Sequence, residues 1–291
     1  MKCVTAFQHR TQILFITGSL SSVYLDDPPL VYSTGAGAEA VRGVTCLGDE
    51  VFVLREGHAE VEVYDVILSP KRRFTVAGLA NPWDVASCAK NQCLYILERQ
   101  GQRVYREEFN GNARNWNLKA LPESLSVTPK SNAIVTMCFA FLLNEFTPDG
   151  HLVREVNLKQ DVANPLHAVQ LTSGQLLVSH LVSQQRVCTI SDDARVVLSF
   201  GGQQGAGAGQ LNYPYHLSVD GQGFILVADT NNNRIVLLHS TLTRIKELVS
   251  ANSKLNGPLR LFLNESLGLL YVGEYLGRQV SVFRVKNFQT I

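Results

Sequence analysis

The strongest constraint on this chain is a pattern that returns six times at nearly constant spacing. A short apolar strand, a polar or glycine turn and a second apolar strand recur as "RGVTCLGDEVFVLRE", "WDVASCAKNQCLYILER", "ESLSVTPKSNAIVTM", "LHAVQLTSGQLLVSH", "YHLSVDGQGFILVAD" and "LRLFLNESLGLLYVGE". Anchored on Val44, Val85, Leu125, Ala168, Leu217 and Leu261, the steps are 41, 40, 43, 49 and 44 residues. The apolar residues within each unit follow strand rather than helix spacing, so the period is that of a propeller blade.

Each unit continues outward. "RVYREEF", "RVCTIS" and "RIVLLH" read as third strands, and "RFTVAG", "LVREVNL" and "VVLSFGG" as fourth strands. Four short strands per unit predict an all-β fold, a β-propeller of four-stranded blades in which radial repetition hides most sheet edges. The chain is expected to form one domain over residues 1–291, in units of approximately 1–34, 35–78, 79–121, 122–160, 161–202, 203–250 and 251–291. The first unit rests on "CVTAF", "QILFITG", "SSVYL" and "PLVYS", with Val4 40 residues before Val44, and counting gives seven blades. The other closure has six, with the Pro29–Ser33 strand completing the last blade, because little chain remains after "RQVSVFRV" for a fourth strand there.

The segment "FGGQQGAGAGQLNYPYHLSVDGQGFILVADTNNNRIVLL" is glycine-rich but is not a phosphate cradle. Such a cradle needs the glycines to follow a strand and open a helix, whereas "HLSVD" and "FILVAD" alternate as strands. It reads as a blade-to-blade connection, and over its roughly 40 residues it resembles an NHL repeat. The units at Trp83, Leu166 and Arg260 match that repeat less closely, and those at Gly43 and Ser124 mainly by spacing. The resemblance implies a propeller, usually six-bladed, that docks protein or RNA, often at the C-terminus of tripartite-motif ubiquitin ligases. Cys3, Cys46, Cys88, Cys93, Cys138 and Cys188 form no paired CxxC sets, so RING and B-box modules are not read here. A ligase role would make this chain the substrate-recognition part of a larger system.

Composition narrows the partners. Hydrophobic residues make up 45%, enough for a large core, and 26 basic against 25 acidic side chains leave a net charge of +1. No global field favours nucleic acid or an anionic membrane, although "KRR" at Lys71–Arg73 is a local basic run. No apolar run reaches bilayer length, and "MKCVTAFQHRTQILFITGS" is a poor signal peptide because His9 and Arg10 interrupt it. A monomer in the cytoplasm, without membrane contact, is the expectation.

Trp83, His167, Tyr213, Tyr215, His216 and Arg260 fall at strand entries and collect on one face as candidate binding residues. Aromatic and arginine side chains dominate binding hot spots, and the same groups can stack on unpaired bases. The expectation is a non-catalytic scaffold for a protein or peptide, with single-stranded RNA as the alternative ligand and no cofactor. The enzymatic alternative is a metal-dependent lyase or hydrolase: His167, His180 and His216 could converge on zinc at a channel mouth, in a manner that resembles the peptide-amidating lyase, or acids could hold calcium. A third histidine at the equivalent entries is missing, and no G-x-S-x-G elbow is present.

Other motifs read as structure. Glu98 with Arg103 and Asp229 with Arg234 straddle the turn between second and third strands, placed to fasten a blade. Asn231, Asn232 and Asn233 supply turn conformations. Cys88 and Cys93 flank "AKNQ" at a hairpin end, where either a cross-strand disulfide or two buried thiols would fit.

Overall fold

The computed structural model describes residues 24–109, 112–181 and 185–286. These form six four-stranded antiparallel sheets. Five are continuous in sequence, over 41–75, 82–117, 124–157, 165–201 and 214–249. The sixth takes three strands from 258–284 and its outermost strand from Leu30–Ser33. The innermost strands are Val41–Leu47, Pro82–Cys88, Ser124–Val127, Pro165–Gln170, Pro214–Val219 and Pro258–Asn264, and each touches the next until the last meets the first. The fold is a six-bladed β-propeller.

The count of seven is thereby corrected to the six-blade closure. "PLVYS" does not end a blade of its own; its strand Leu30–Ser33 pairs with Val280–Arg284 and finishes blade six. The other strands expected in a first unit, up to residue 23, lie outside the described residues. Pairing with Leu30–Ser33 covers the edge that Val280–Arg284 would otherwise expose.

Burial explains why the second strands read as unbroken apolar runs. The core consists of one cluster at each of the six junctions between neighbouring blades, with a small seventh around Leu166, Tyr215 and Leu259. In Ile225–Asp229, Ile225 and Val227 face blade four while Leu226 and Ala228 face blade six. Both faces of the strand are covered, so neither can be polar.

Turn chemistry sets the connections. Gly201, at the end of blade four, has φ +95°, and a Cβ there would stand 2.6 Å from the Gln185 carbonyl oxygen. Only glycine fits that close approach. Thr230–Asn232 forms a 3-10 turn closed by Asn233 at φ +52°, the left-handed region that asparagine tolerates.

Ahead of the closing strand, Tyr24 is buried against Phe224 and its hydroxyl donates to Asp220 Oδ2 at 2.9 Å. Lys246 Nζ donates to the carbonyls of Tyr24 and Leu25, fastening the same segment to blade five. Removing that hydroxyl by Tyr24→Phe should lower unfolding free energy by about 1 kcal/mol in a denaturant titration. An unchanged midpoint would show that the clasp carries no stability.

Candidate functional site

Five of the six innermost strands begin with a bulge, Ser124–Val127 being the exception, and the bulge decides what faces solvent. The ladder shifts register between Val41 and Gly43, Pro82 and Asp84, Pro165 and His167, Pro214 and Leu217, and Pro258 and Arg260. Such an extra residue re-aims its side chain away from the sheet. The residues two before the repeat anchors are Arg42, Trp83, Glu123, Leu166, Tyr215 and Leu259. One comes from each blade, and all six line a single cavity of about 440 Å³ on this face. Around them stand Arg99, Phe139, Leu181, Tyr213 and Tyr275 from surrounding loops and strand ends. Phe139 and Tyr275 on this rim are 67% and 39% exposed.

One residue further along, the side chains turn into the ring and bind the main chain of the next blade. Asp84 Oδ2 accepts from Leu125 N at 2.9 Å, and Ser124 Oγ donates to Leu166 O at 2.6 Å. His167 Nδ1 accepts from Leu217 N at 3.2 Å, and His216 Nδ1 from Leu261 N at 3.4 Å. Arg260 Nε donates to Arg42 O at 2.6 Å. These two layers separate residues that the sequence grouped together. Trp83, Tyr213 and Tyr215 line the cavity, whereas His167, His216 and Arg260 lie in the layer that joins the blades.

The histidines do not converge. His167 and His216 stack with ring centroids 3.7 Å apart, and His180 accepts from Arg186 Nε at 2.9 Å through Nε2. Burial, with the Arg260 cation nearby, pushes His167 down from its usual 6.5 to about 3. Burial, with Arg186 beside it, pushes His180 down to about 4. Among the described residues no group of three His, Cys, Asp or Glu side chains could hold a metal ion. The residues expected for zinc therefore do not fit that role. The strand-end acids that a calcium site would use are bonded to main-chain N–H groups: Glu98 to Ala80 and Asn81, Asp229 to Asn212, Glu274 to Asn256.

The expected fastening pairs divide. Asp229 and Arg234 form a buried 2.7 Å ion pair, with further Arg234 bonds to the carbonyls of Ala206 and Gln210. Glu98 and Arg103 are register partners but bond elsewhere: Glu98 also accepts from Tyr105, and Arg103 Nε donates to Asn117 Oδ1. Cys88 and Cys93 sit directly opposite each other as buried free thiols. Cys3 lies outside the described residues. Lys71, Arg72 and Arg73 are each matched by carboxylates, from Glu50, Glu60 and Glu62.

The cavity is organised around Trp83. Its Nε1 donates to Glu123 O at 3.0 Å, and the guanidinium carbons of Arg42 and Arg99 lie 3.9 and 4.5 Å from the ring centroid. Arg99 pairs with Glu123 Oε2 at 3.0 Å, and the other Glu123 oxygen accepts from the Tyr215 hydroxyl. Arg42 pairs with Glu56. Arg42, Arg99, Phe139 and Tyr275 are cavity residues that were not singled out from the sequence. For Arg42 the signal was present, since it stands at the same offset from Val44 as Trp83 does from Val85.

Comparison with known proteins supports the architecture. No protein-family model and no curated protein matches the sequence. Among solved structures, the chain is similar to a gluconolactonase from Xanthomonas campestris, at TM-score 0.68 and 13% identity over 92% of this chain and 93% of that one. It is also similar to a streptogramin B lyase, at TM-score 0.64 and 12% identity over 92% and 87%. An inactive virginiamycin B lyase from Staphylococcus aureus with quinupristin matches at TM-score 0.64 and 13% identity over 87% and 82%. At these identities the likeness shows the fold alone, a six-bladed propeller. The expectation that the chain is not an enzyme is overturned by these neighbours, which are a lactonase and lyases. The NHL resemblance has no matching family model behind it.

His167 yields a test of the joining layer. Its depressed pKa means that folding favours the neutral ring: that stability is fully present above pH 6.5 and is lost as pH falls toward 3. His167→Asn keeps an acceptor near the Nδ1 position but does not titrate. Between pH 6 and 4 the wild type should lose about 1.4 kcal/mol more per pH unit than this variant. Parallel stability curves in denaturant titrations would contradict the buried neutral histidine.

Proposed function

We propose that the chain recognises a peptide or protein segment in the cavity around Trp83. One observation carries this reading: equivalent positions of six blades, bulged in five of them, open onto the same cavity, and only leucine occurs at more than one of them. Residues serving only to join blades would be expected to repeat; an aromatic, an arginine, a glutamate and aliphatic groups around one opening suit a ligand without sixfold symmetry. The exposed apolar groups of Phe139 and Tyr275 at the cavity favour a partner that buries side chains.

Single-stranded RNA is the poorer match. Arg42 and Arg99, the guanidinium groups at the cavity, are each paired with a carboxylate, so the face lacks the excess positive charge that backbone binding needs. A held peptide can also be processed at this face, where Glu123 has a hydroxyl and a guanidinium as partners.

Selection from a random displayed-peptide library, followed by titration of the recovered peptides, tests the site. Trp83→Ala should weaken binding by about tenfold or more, with the thermal midpoint followed in parallel to separate binding from folding. Peptides that bind this variant as tightly as the wild type would move the site elsewhere. Mass analysis of the bound peptide reports in the same samples whether it leaves altered.

A further inference from the structure

The guanidinium charges at the cavity are matched, but their N–H donors are not all used. The Arg42 guanidinium lies between two rings, 3.9 Å from the Trp83 centroid and 4.8 Å from that of Tyr275. Arg99 lies 4.5 Å from Trp83, so the two cations can be no farther apart than their summed distances to that ring. Stacking fixes both guanidinium planes without using their N–H groups. Arg42 gives Nη2 to Glu56, and Arg99 gives Nη2 to Glu123 and Nε to the Pro122 carbonyl. The Nη1 group of each has no partner among the described residues, and Arg42 Nε is a buried donor without an acceptor.

The two carboxylates are not equivalent. Glu123 is buried and held from both sides, by Arg99 and by the Tyr215 hydroxyl. Glu56 lies beside Arg42 with its side chain 46% exposed, and among the described residues that side chain bonds to Arg42 alone. An exposed ion pair of this kind is weak and easily exchanged. With Glu56 turned away, two cations and the fixed Glu123 leave one uncompensated positive charge. That matches a monoanion, while a dianionic phosphate would face Glu123 with excess charge.

We propose that the cavity selects ligands bearing a free carboxylate beside an aromatic or aliphatic group, as at the C-terminus of a peptide ending in an apolar residue. The carboxylate takes the Nη1 donors of Arg42 and Arg99 and displaces Glu56, and the apolar group lies against Phe139 and Tyr213. Charge-assisted bonds to stacked guanidinium groups supply the selectivity, and the rings supply contact area. The inference rests on the peptide-recognition reading and names the end of the ligand that is read.

The test compares N-acetyl-L-phenylalanine with N-acetyl-L-phenylalaninamide, titrated to millimolar concentration and followed by the Trp83 indole N–H signal in NMR. The acid should bind about tenfold more tightly than the amide. Arg42→Gln and Arg99→Gln should each erase that preference while leaving amide binding in place. Glu56→Gln, at an exposed position where folding is not at stake, should strengthen binding of the acid by removing its competitor. Equal affinity for acid and amide, or an acid preference that survives both arginine variants, overturns carboxylate selection and leaves the cavity reading standing. Failure of the acid to bind overturns it as well. Binding of both probes that is indifferent to Trp83→Ala, followed in that variant by backbone amide shifts because the indole signal is lost, removes the cavity reading itself.

Discussion

Each blade of this propeller is a sheet buried on both faces, and that requirement governs the rest of the molecule. A sheet whose second strand reads Ile225, Leu226, Val227, Ala228 cannot face water on either side, so every blade needs a neighbour to left and right. A row of such sheets has exposed ends unless it closes. Closure falls to Leu30–Ser33 and the Tyr24 clasp, which bring the start of the described chain onto its last blade. The core is accordingly not one mass but six junctions, each dependent on the next.

Around the channel the junctions are also tied by hydrogen bonds, and blade one has no side chain to offer at this level. Blade one contributes Gly43 to the joining layer, and even a Cβ there would meet Val85 Cγ1 at 2.8 Å. Blade six supplies the compensation with the longest reach available. Arg260, 1% exposed, donates to Arg42 O in blade one and to Trp83 O in blade two, and its Nε lies 3.3 Å from Asp84 Oδ1. Asp84 in turn holds blade three through Leu125 N. Burial raises the Asp84 carboxyl to about 6 against the pull of Arg260 and two main-chain N–H groups. The pair thus pays a desolvation penalty, and its value lies in fixing which blade meets which.

Much of this was legible in the sequence. The period came from apolar anchors, the strand order within a blade from turn residues, and the six-blade closure was one of the two that the spacing allowed. Blade number was ambiguous because "PLVYS" has the pattern of a fourth strand wherever it pairs, and pairing partners distant in sequence leave no local mark. The site was read less well for a related reason. His167, His216 and Arg260 were grouped with Trp83 and Tyr215, yet a bulge between adjacent positions sends one residue to the cavity and the next into the ring. A register shift is a property of paired strands, and a single strand's sequence does not announce it. Glu98 with Arg103 shows the same limit: correct register did not make an ion pair, because the Glu98 carboxylate accepts instead from the main-chain N–H groups of Ala80 and Asn81.

The bulge also separates two kinds of freedom. A residue in the joining layer is constrained twice, by its own blade and by the main chain it bonds in the next, so its replacement disturbs a junction. The bulged residue beside it faces the cavity and is released from the ladder. Arg42, Trp83, Glu123, Leu166, Tyr215 and Leu259 differ in size, charge and aromaticity although all stand two residues before their repeat anchors, Glu123 without a bulge beside it. Side chains can change at these six positions while the junctions that hold the ring remain as they are. This explains how a repeated scaffold comes to carry an unrepeated surface, and why chemistry at the cavity is better argued from those six side chains than from the architecture that presents them.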